Sequence, residues 1–331
     1  MTQDRRTRPG EDAGTDDPAP EPLTLWCLTD GKPGHCSQLL GLSQALAARW
    51  PCRLSWLDTG AGLRRRAAAL GQRPDLILCA GHRTHLSGLR LRWHFGGALV
   101  TLMKPSLPHR LFDLCIVPRH DLPRPGPRVL PTRGTLNDIR PATDPDPGRA
   151  LILIGGPSRH HGWDDAQMLA QLRELLAALP ALQWSLTTSR RTPDSFLMAV
   201  TRLNNERLTI MPVELATRDW LLEQYRRCAT VWVSEDSVSM VYEALATGAA
   251  VGVLAVPRQQ QSRVSRGLDQ LLESGFLTRL ATLRQAGTMP RPQPAPNETD
   301  RVADYLLHWI SERNGQPLAH HESPAGSTLP Q

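Results

Sequence analysis

The chain has 331 residues, 40% of them hydrophobic and 21% charged, with a formal net charge of +6. That length suits two domains of ordinary size, and no apolar run approaches the ~20 residues needed to cross a bilayer. The charge is uneven: residues 23–140 hold 17 basic and 6 acidic side chains, while residues 1–22 carry −3 and residues 141–331 carry −2. A basic domain suits a phosphorylated ligand or a peripheral contact with an anionic membrane. Nucleic acid is excluded as a partner, because no helix-turn-helix, zinc-finger or aromatic RNA-binding signature occurs.

Residues 1–22 are rich in Asp, Pro, Gly and Arg and read as a disordered tail. They have no apolar core for a secretory signal and are too acidic for a transit peptide. Leu23 to Leu28 is the first buried-type strand. Thr29-Asp30-Gly31-Lys32-Pro33-Gly34-His35 follows, then an amphipathic helix over about 37–49. Strand, Gly-bearing loop and helix form a phosphate-capable unit. It is neither a Walker loop nor the spaced-Gly dinucleotide fingerprint. Gly31 and Gly34 supply unusual backbone angles and close approach to a ligand. His35 stands between two roles, catalytic base or helix cap.

Strands are expected at 53–57 and 75–80, with a short basic helix at 63–70 between them. The second strand ends at Gly81-His82-Arg83-Thr84-His85, which is either a ligand edge or a solvated loop. Residues 86–112 mix Arg90, Arg92, Lys104 and Arg110 with Leu89, Trp93, Phe95 and Leu107. They read as a helix and a strand with surface arginines, the alternative being a peripheral membrane patch. A strand at 111–117 and another near Val129 complete the first domain at about residue 140.

The second domain, 141–285, opens with a strand at 150–154 running into Gly155-Gly156-Pro157-Ser158. The adjacent pair His160-His161 does not make a ligand set, so no metal is expected. A strand at 184–188 ends at Ser189-Arg190-Arg191-Thr192-Pro193, two arginines suited to phosphate. The most informative stretch is Thr230 to Pro257. It reads as strand, polar turn Ser234-Glu235-Asp236-Ser237, helix 238–246, Gly248 and a second strand. Ser and Asp are expected to cap that helix. Glu235 and Glu243 lie about 80° apart around a helix, so one carboxylate stands at the mouth of a site and the other deeper. A Pro-rich linker and a final amphipathic helix follow at 286–314, then a second disordered tail at 315–331. The six cysteines form no CxxC pair and read as thiols of a reducing cytoplasm. Peripheral attachment at the inner face of the membrane is the variant of that localisation.

The chain thus states one plan twice, which gives an α/β fold of two doubly wound Rossmann-like domains facing across a cleft. TDGKPGHCSQLLGLSQAL, GGPSRHHGW, TTSRRTP and SEDSVSMVYEALATGAAV together resemble the mitochondrial fission ELM-type family. Its bacterial members are described as predicted nucleoside-diphosphate-sugar epimerases. The two-domain plan also resembles GT-B glycosyltransferases. That resemblance implies that Gly156, Ser158, Ser189, Arg190, Ser237 and Ser239 hold phosphate or nucleotide and that Glu243 meets the ribose, while Arg191 and Asp236 join them as phosphate candidates from their own loops. Glu235 and Glu243 fit the E-x7-E spacing of some retaining members, and the last helix would cross back to the first domain. Without a dinucleotide fingerprint or a Tyr-x-x-x-Lys pair, hydride chemistry is not expected. The expectation is a nucleotide-sugar-dependent transferase with no further cofactor. Asp30 or His35 would activate an acceptor whose identity the sequence does not give. A non-catalytic adaptor of the same fold, in envelope or division-related processes, is the alternative.

Overall fold

The computed structural model describes residues 20–260, 263–291 and 297–315. The expectations for 1–19, for 316–331 and for the 292–296 part of the Pro-rich stretch lie outside the described residues. The first half alternates β1 (Leu23–Thr29), α1 (Pro33–Ala47), β2 (Cys52–Asp58), α2 (Leu63–Ala69), β3 (Leu76–Ala80), α3 (His85–Phe95), β4 (Ala98–Leu102), β5 (Leu114–Pro118) and β6 (Val129–Thr132). The strands form one parallel sheet in the order β2-β1-β3-β4-β5-β6. β3 and β5 are apolar along their whole length, β4 is apolar apart from Thr101, and all three are buried throughout, as strands covered on both faces must be.

The second half contains β7 (Asp146–Leu153), α4 (Asp165–Ala178), β8 (Gln183–Thr187), α5 (Asp194–Thr201), β9 (Leu208–Met211), α6 (Arg218–Arg227), β10 (Cys228–Ser234), α7 (Val238–Ala246), β11 (Ala250–Leu254), α8 (Arg263–Glu273), β12 (Thr278–Arg279) and α9 (Leu280–Ala286). Its parallel sheet runs β12-β11-β10-β7-β8-β9. The strand order reverses between β1 and β3 in one sheet and between β7 and β10 in the other. Those crevices at the carboxyl ends are where doubly wound sheets bind ligands.

The expected fold class is therefore what the chain adopts. Details differ for local reasons. α1 starts at Pro33 rather than near residue 37, since proline at the first helical position costs no hydrogen bond. β5 starts three residues later than expected because 109–111 closes a 3-10 turn. β7 starts at Asp146, extending the pairing with β10 across a register shift.

The last helix, α10 (Glu298–Asn314), packs on α1 of the first domain. Its Val302, Ala303, Leu306 and Ile310 join Leu39, Leu42 and Leu46 in one buried cluster. Burying each of the larger aliphatic side chains contributes about 1.5–3 kcal/mol. Arg49 reaches Asp300 and Asp304, Arg140 reaches Asp300 at 2.6 Å, and Arg313 reaches Asp113 at 3.0 Å. Thr299 ties the helix start to the domain connection, exchanging hydrogen bonds with the Asn137 backbone.

Truncation of Leu306 tests this docking. Leu306→Ala is expected to cost about 2–5 kcal/mol in denaturant unfolding. Met198→Ala, at an exposed position, should stay within about 0.5 kcal/mol of wild type.

Candidate functional site

The carboxyl edges of the two sheets meet. His120, after β5, stacks on Tyr242 of α7 with ring centroids 6.1 Å apart, and Tyr242 donates its hydroxyl to the Arg133 carbonyl at 2.8 Å. Asp138 accepts from Ser37 of α1 at 2.6 Å and pairs with Arg218 of α6. The site has one part on each domain.

On the first domain, Asp30 follows β1 and His35 lies in the first turn of α1. His35 Nδ1 lies 2.7 Å from Asp30 Oδ1, and the Asp30 side chain is only 2% exposed. Burial opposes ionisation of Asp30. The hydrogen bonds from His35 and the Lys32 N–H outweigh it and hold the carboxyl below its ordinary range. With Asp30 ionised, Nδ1 is the His35 nitrogen that donates to it. The pair packs against Gly81, where any Cβ would stand 2.5 Å from His35 Nδ1 and 2.8 Å from Asp30 Oδ2. His35 does not cap α1, whose start has no side-chain cap; its ring nitrogen pairs with Asp30 instead. Gly31 and Gly34 have nothing packed where a side chain would start, so the loop stays open.

His35 and Gly81 line a cavity of about 390 Å³ together with His82, His85, Met103, Lys104 and Asp121. Met103 adopts a left-handed backbone with φ 73°, a strained conformation for a residue with a Cβ. His85 is buried, with Ser106 Oγ 3.1 Å from Nδ1 and Thr101 Oγ1 3.3 Å from Nε2. Burial, then the neighbouring His82, pushes it down to about 4.

On the second domain, the loops after β7, β8 and β10 converge. Asp236 does not cap α7. Its Oδ2 accepts from the Gly156 N–H at 3.0 Å and from Arg191 at 2.7 Å. Arg191 also donates to the Pro157 carbonyl at 3.1 Å. A Cβ on Gly155 would fall 2.1 Å from Asp236 Oδ2, and one on Gly156 would fall 2.2 Å from the Arg191 carbonyl oxygen. These glycines exist for loop-to-loop contact. Ser189 donates to the Gly155 carbonyl at 2.9 Å, and Ser158 Oγ accepts from the His160 and His161 N–H groups. Gly155, Gly156, Ser158, Ser189, Arg191 and Asp236 therefore build the wall of the crevice.

The expected capping of α7 is corrected: no side chain caps it. With Asp236 turned inward, the N–H groups of Val238, Ser239 and Met240 have no partner within the helix. Among the described residues the hydroxyls of Ser237 and Ser239 make no hydrogen bond, and Arg190 is exposed without an ion pair. These groups are open to a ligand.

The two glutamates differ from the reading that placed Glu235 at an open mouth. Glu235 is 4% exposed, with Arg258 on Oε2 at 2.9 Å and the Val256 N–H on Oε1 at 3.2 Å. Both oxygens are taken by the β11–α8 connection. Glu243 faces α6, where the Tyr225 hydroxyl donates at 3.2 Å and Arg218 stands 4.0 Å away. Burial raises its carboxyl despite those partners. The Arg258 and Arg218 roles carried no sequence signal, since neither lies in a motif. Among the described residues no group of three or more His, Cys, Asp or Glu is placed to hold a metal ion.

A family described as Mitochondrial fission ELM1 matches residues 33–310, and the chain belongs to that family. An uncharacterized protein of Rickettsia prowazekii is 22% identical over 251 residues, 60% of this chain and 70% of the relative. Among solved structures, the UDP-GlcNAc 2-epimerase from Neisseria meningitidis bound to UDP-GlcNAc is similar at a TM-score of 0.54 and 9% identity, over 86% of this chain and 100% of that one. The UDP-GlcNAc 2-epimerase from Methanocaldococcus jannaschii is similar at 0.52 and 12%, over 86% and 100%. The glycotransferase of kitacinnamycin gives 0.52 and 14%, over 88% and 100%. These likenesses show the fold, the GT-B arrangement of two Rossmann-like domains.

His85 gives a pH test. A histidine held down to about 4 in the folded state binds its proton more readily when unfolded. Its contribution is whole above about pH 6.5 and is lost as pH falls towards 4. Urea unfolding across that window should show a slope shallower by about one proton in His85→Gln. His120 and His161, also lowered chiefly by burial, keep the slope from vanishing.

Proposed function

We propose that this member of the mitochondrial fission ELM1 family binds a nucleotide sugar between its domains and transfers the sugar to an acceptor held by the first domain. The observation that carries this reading is the uncapped start of α7 at the β7–β10 switch point. Three free N–H groups, the Ser237 and Ser239 hydroxyls and the helix dipole there favour a diphosphate. Arg190 supplies an exposed positive charge at the same edge. The likeness to a UDP-GlcNAc-bound epimerase supports a nucleoside diphosphate as the ligand class.

The chemistry follows from the placement of charge. His35 Nε2 takes the proton of an acceptor hydroxyl while Asp30 stabilises the imidazolium. The acceptor oxygen bonds to the anomeric carbon as the bond from that carbon to the diphosphate oxygen breaks. The departing diphosphate keeps the electron pair, and the α7 N–H groups meet its growing charge. Glu243, in the second turn of α7, is the proposed hydrogen-bond partner for ribose hydroxyls.

A thermal-shift screen against UDP, GDP, dTDP, CMP and their sugars tests the reading. Ligand at about 100 times its dissociation constant should add roughly 2.7 kcal/mol of stability. Ser239→Asp puts a carboxylate in the first turn of α7. It should hold or raise the unliganded transition, yet weaken nucleotide binding by at least about tenfold through charge repulsion. If no nucleotide shifts the transition, the transferase reading fails and a non-catalytic adaptor of this fold replaces it.

A further inference from the structure

Helix α3 buries His85, Gly88 and Leu91 and turns the opposite face outward. On that face Leu86, Arg90 and Trp93 fall within an arc of about 60°, at ~100° per residue. Trp93 is 87% exposed and Leu86 is 60% exposed. Arg92 donates to the Leu111 carbonyl at 3.1 Å, which brings the 109–111 turn, with exposed Arg110 and Leu111, beside the helix. From Leu76 to Phe112 the chain has no Asp or Glu, but has Arg83, Arg90, Arg92, Lys104 and Arg110. Arg83, Arg90 and Arg110 are exposed and make no ion pair among the described residues. The acidic residue that ends the stretch, Asp113, is mostly buried and held between Arg92 and Arg313. Asp121 stands apart, at the rim of the cavity, where its carbonyl takes Lys104.

We propose that this α3 face is a docking surface for an anionic lipid bilayer. A tryptophan with a wet edge and an apolar body sits well at headgroup depth. Unpaired guanidiniums on the same face are drawn to lipid phosphates. The amphipathic arc buries Leu86 and Trp93 at the acyl boundary without crossing it, and no described helix is long and apolar enough to cross. A second copy of the chain does not suit the face. Two-fold pairing would set Arg83, Arg90 and Arg110 of one copy against the same cluster of the other. The inference is independent of the nucleotide-sugar reading, since no α3 outward residue belongs to the α7 site.

The test is co-sedimentation of the full chain with vesicles of phosphatidylcholine, with and without about a third phosphatidylglycerol. The wild type is expected to sediment with the anionic vesicles and not the neutral ones, and to be released by salt. Arg83→Gln and Arg90→Gln should each lower partitioning about fivefold, and Trp93→Ser by tenfold or more, with thermal transitions unchanged because all three side chains are exposed. Absence of sedimentation overturns the proposal. So does equal binding by wild type and Trp93→Ser. A concentration-dependent dimer abolished by Trp93→Ser would also overturn it and give the face to a second copy.

Discussion

Asp236 stands one residue ahead of Ser237, the cap position of α7, and its carboxylate turns away from the helix to the Gly156 N–H and Arg191. That single choice locks the loops after β7, β8 and β10 together and leaves the start of α7 without a protein partner. The loops of the crevice wall are thereby tied together, while the first N–H groups of α7 have no side-chain cap. Burying the Asp236 carboxylate against a half-exposed arginine is a costly way to add stability. Its effect here is to hold geometry, with one Asp236 oxygen left without a donor among the described residues.

The first domain answers with a different device. Its cavity is lined by polar side chains: His35 paired with Asp30, His82, the buried His85 and Lys104. The second domain contributes backbone N–H groups and hydroxyls, whose polarity does not depend on pH. Under the proposed function, this division would separate holding a leaving anion from moving a proton. The α10 helix packs on α1 while its start is bonded to the domain connection.

The parallel sheets were legible because their strands are short, apolar and followed by glycine or polar edges, as at Leu76–Ala80 and Gly81. The start of α1 was misread because the Pro33 signal was taken as loop. β12 and α9 were not read at all, since two strand residues and a seven-residue helix carry almost no periodicity. In the site, the residue types were legible and their partners were not. Glu235 looks like a ligand in the sequence, but Arg258, 23 positions later, occupies it. Arg190 and Arg191 are indistinguishable as letters, and only the fold ties the second to Asp236 and frees the first. The cysteines read correctly as buried thiols at Cys27, Cys79, Cys115 and Cys228, where burial pushes each thiol up to about 12.

The most direct test of the account is a UDP titration of nitrogen-15-labelled protein, followed through the backbone amide signals. If the uncapped helix start is the anion site, the amides of Val238, Ser239 and Met240 shift first and furthest, because they donate directly to the diphosphate. Shifts confined to other loops, or none at saturating UDP, would contradict it.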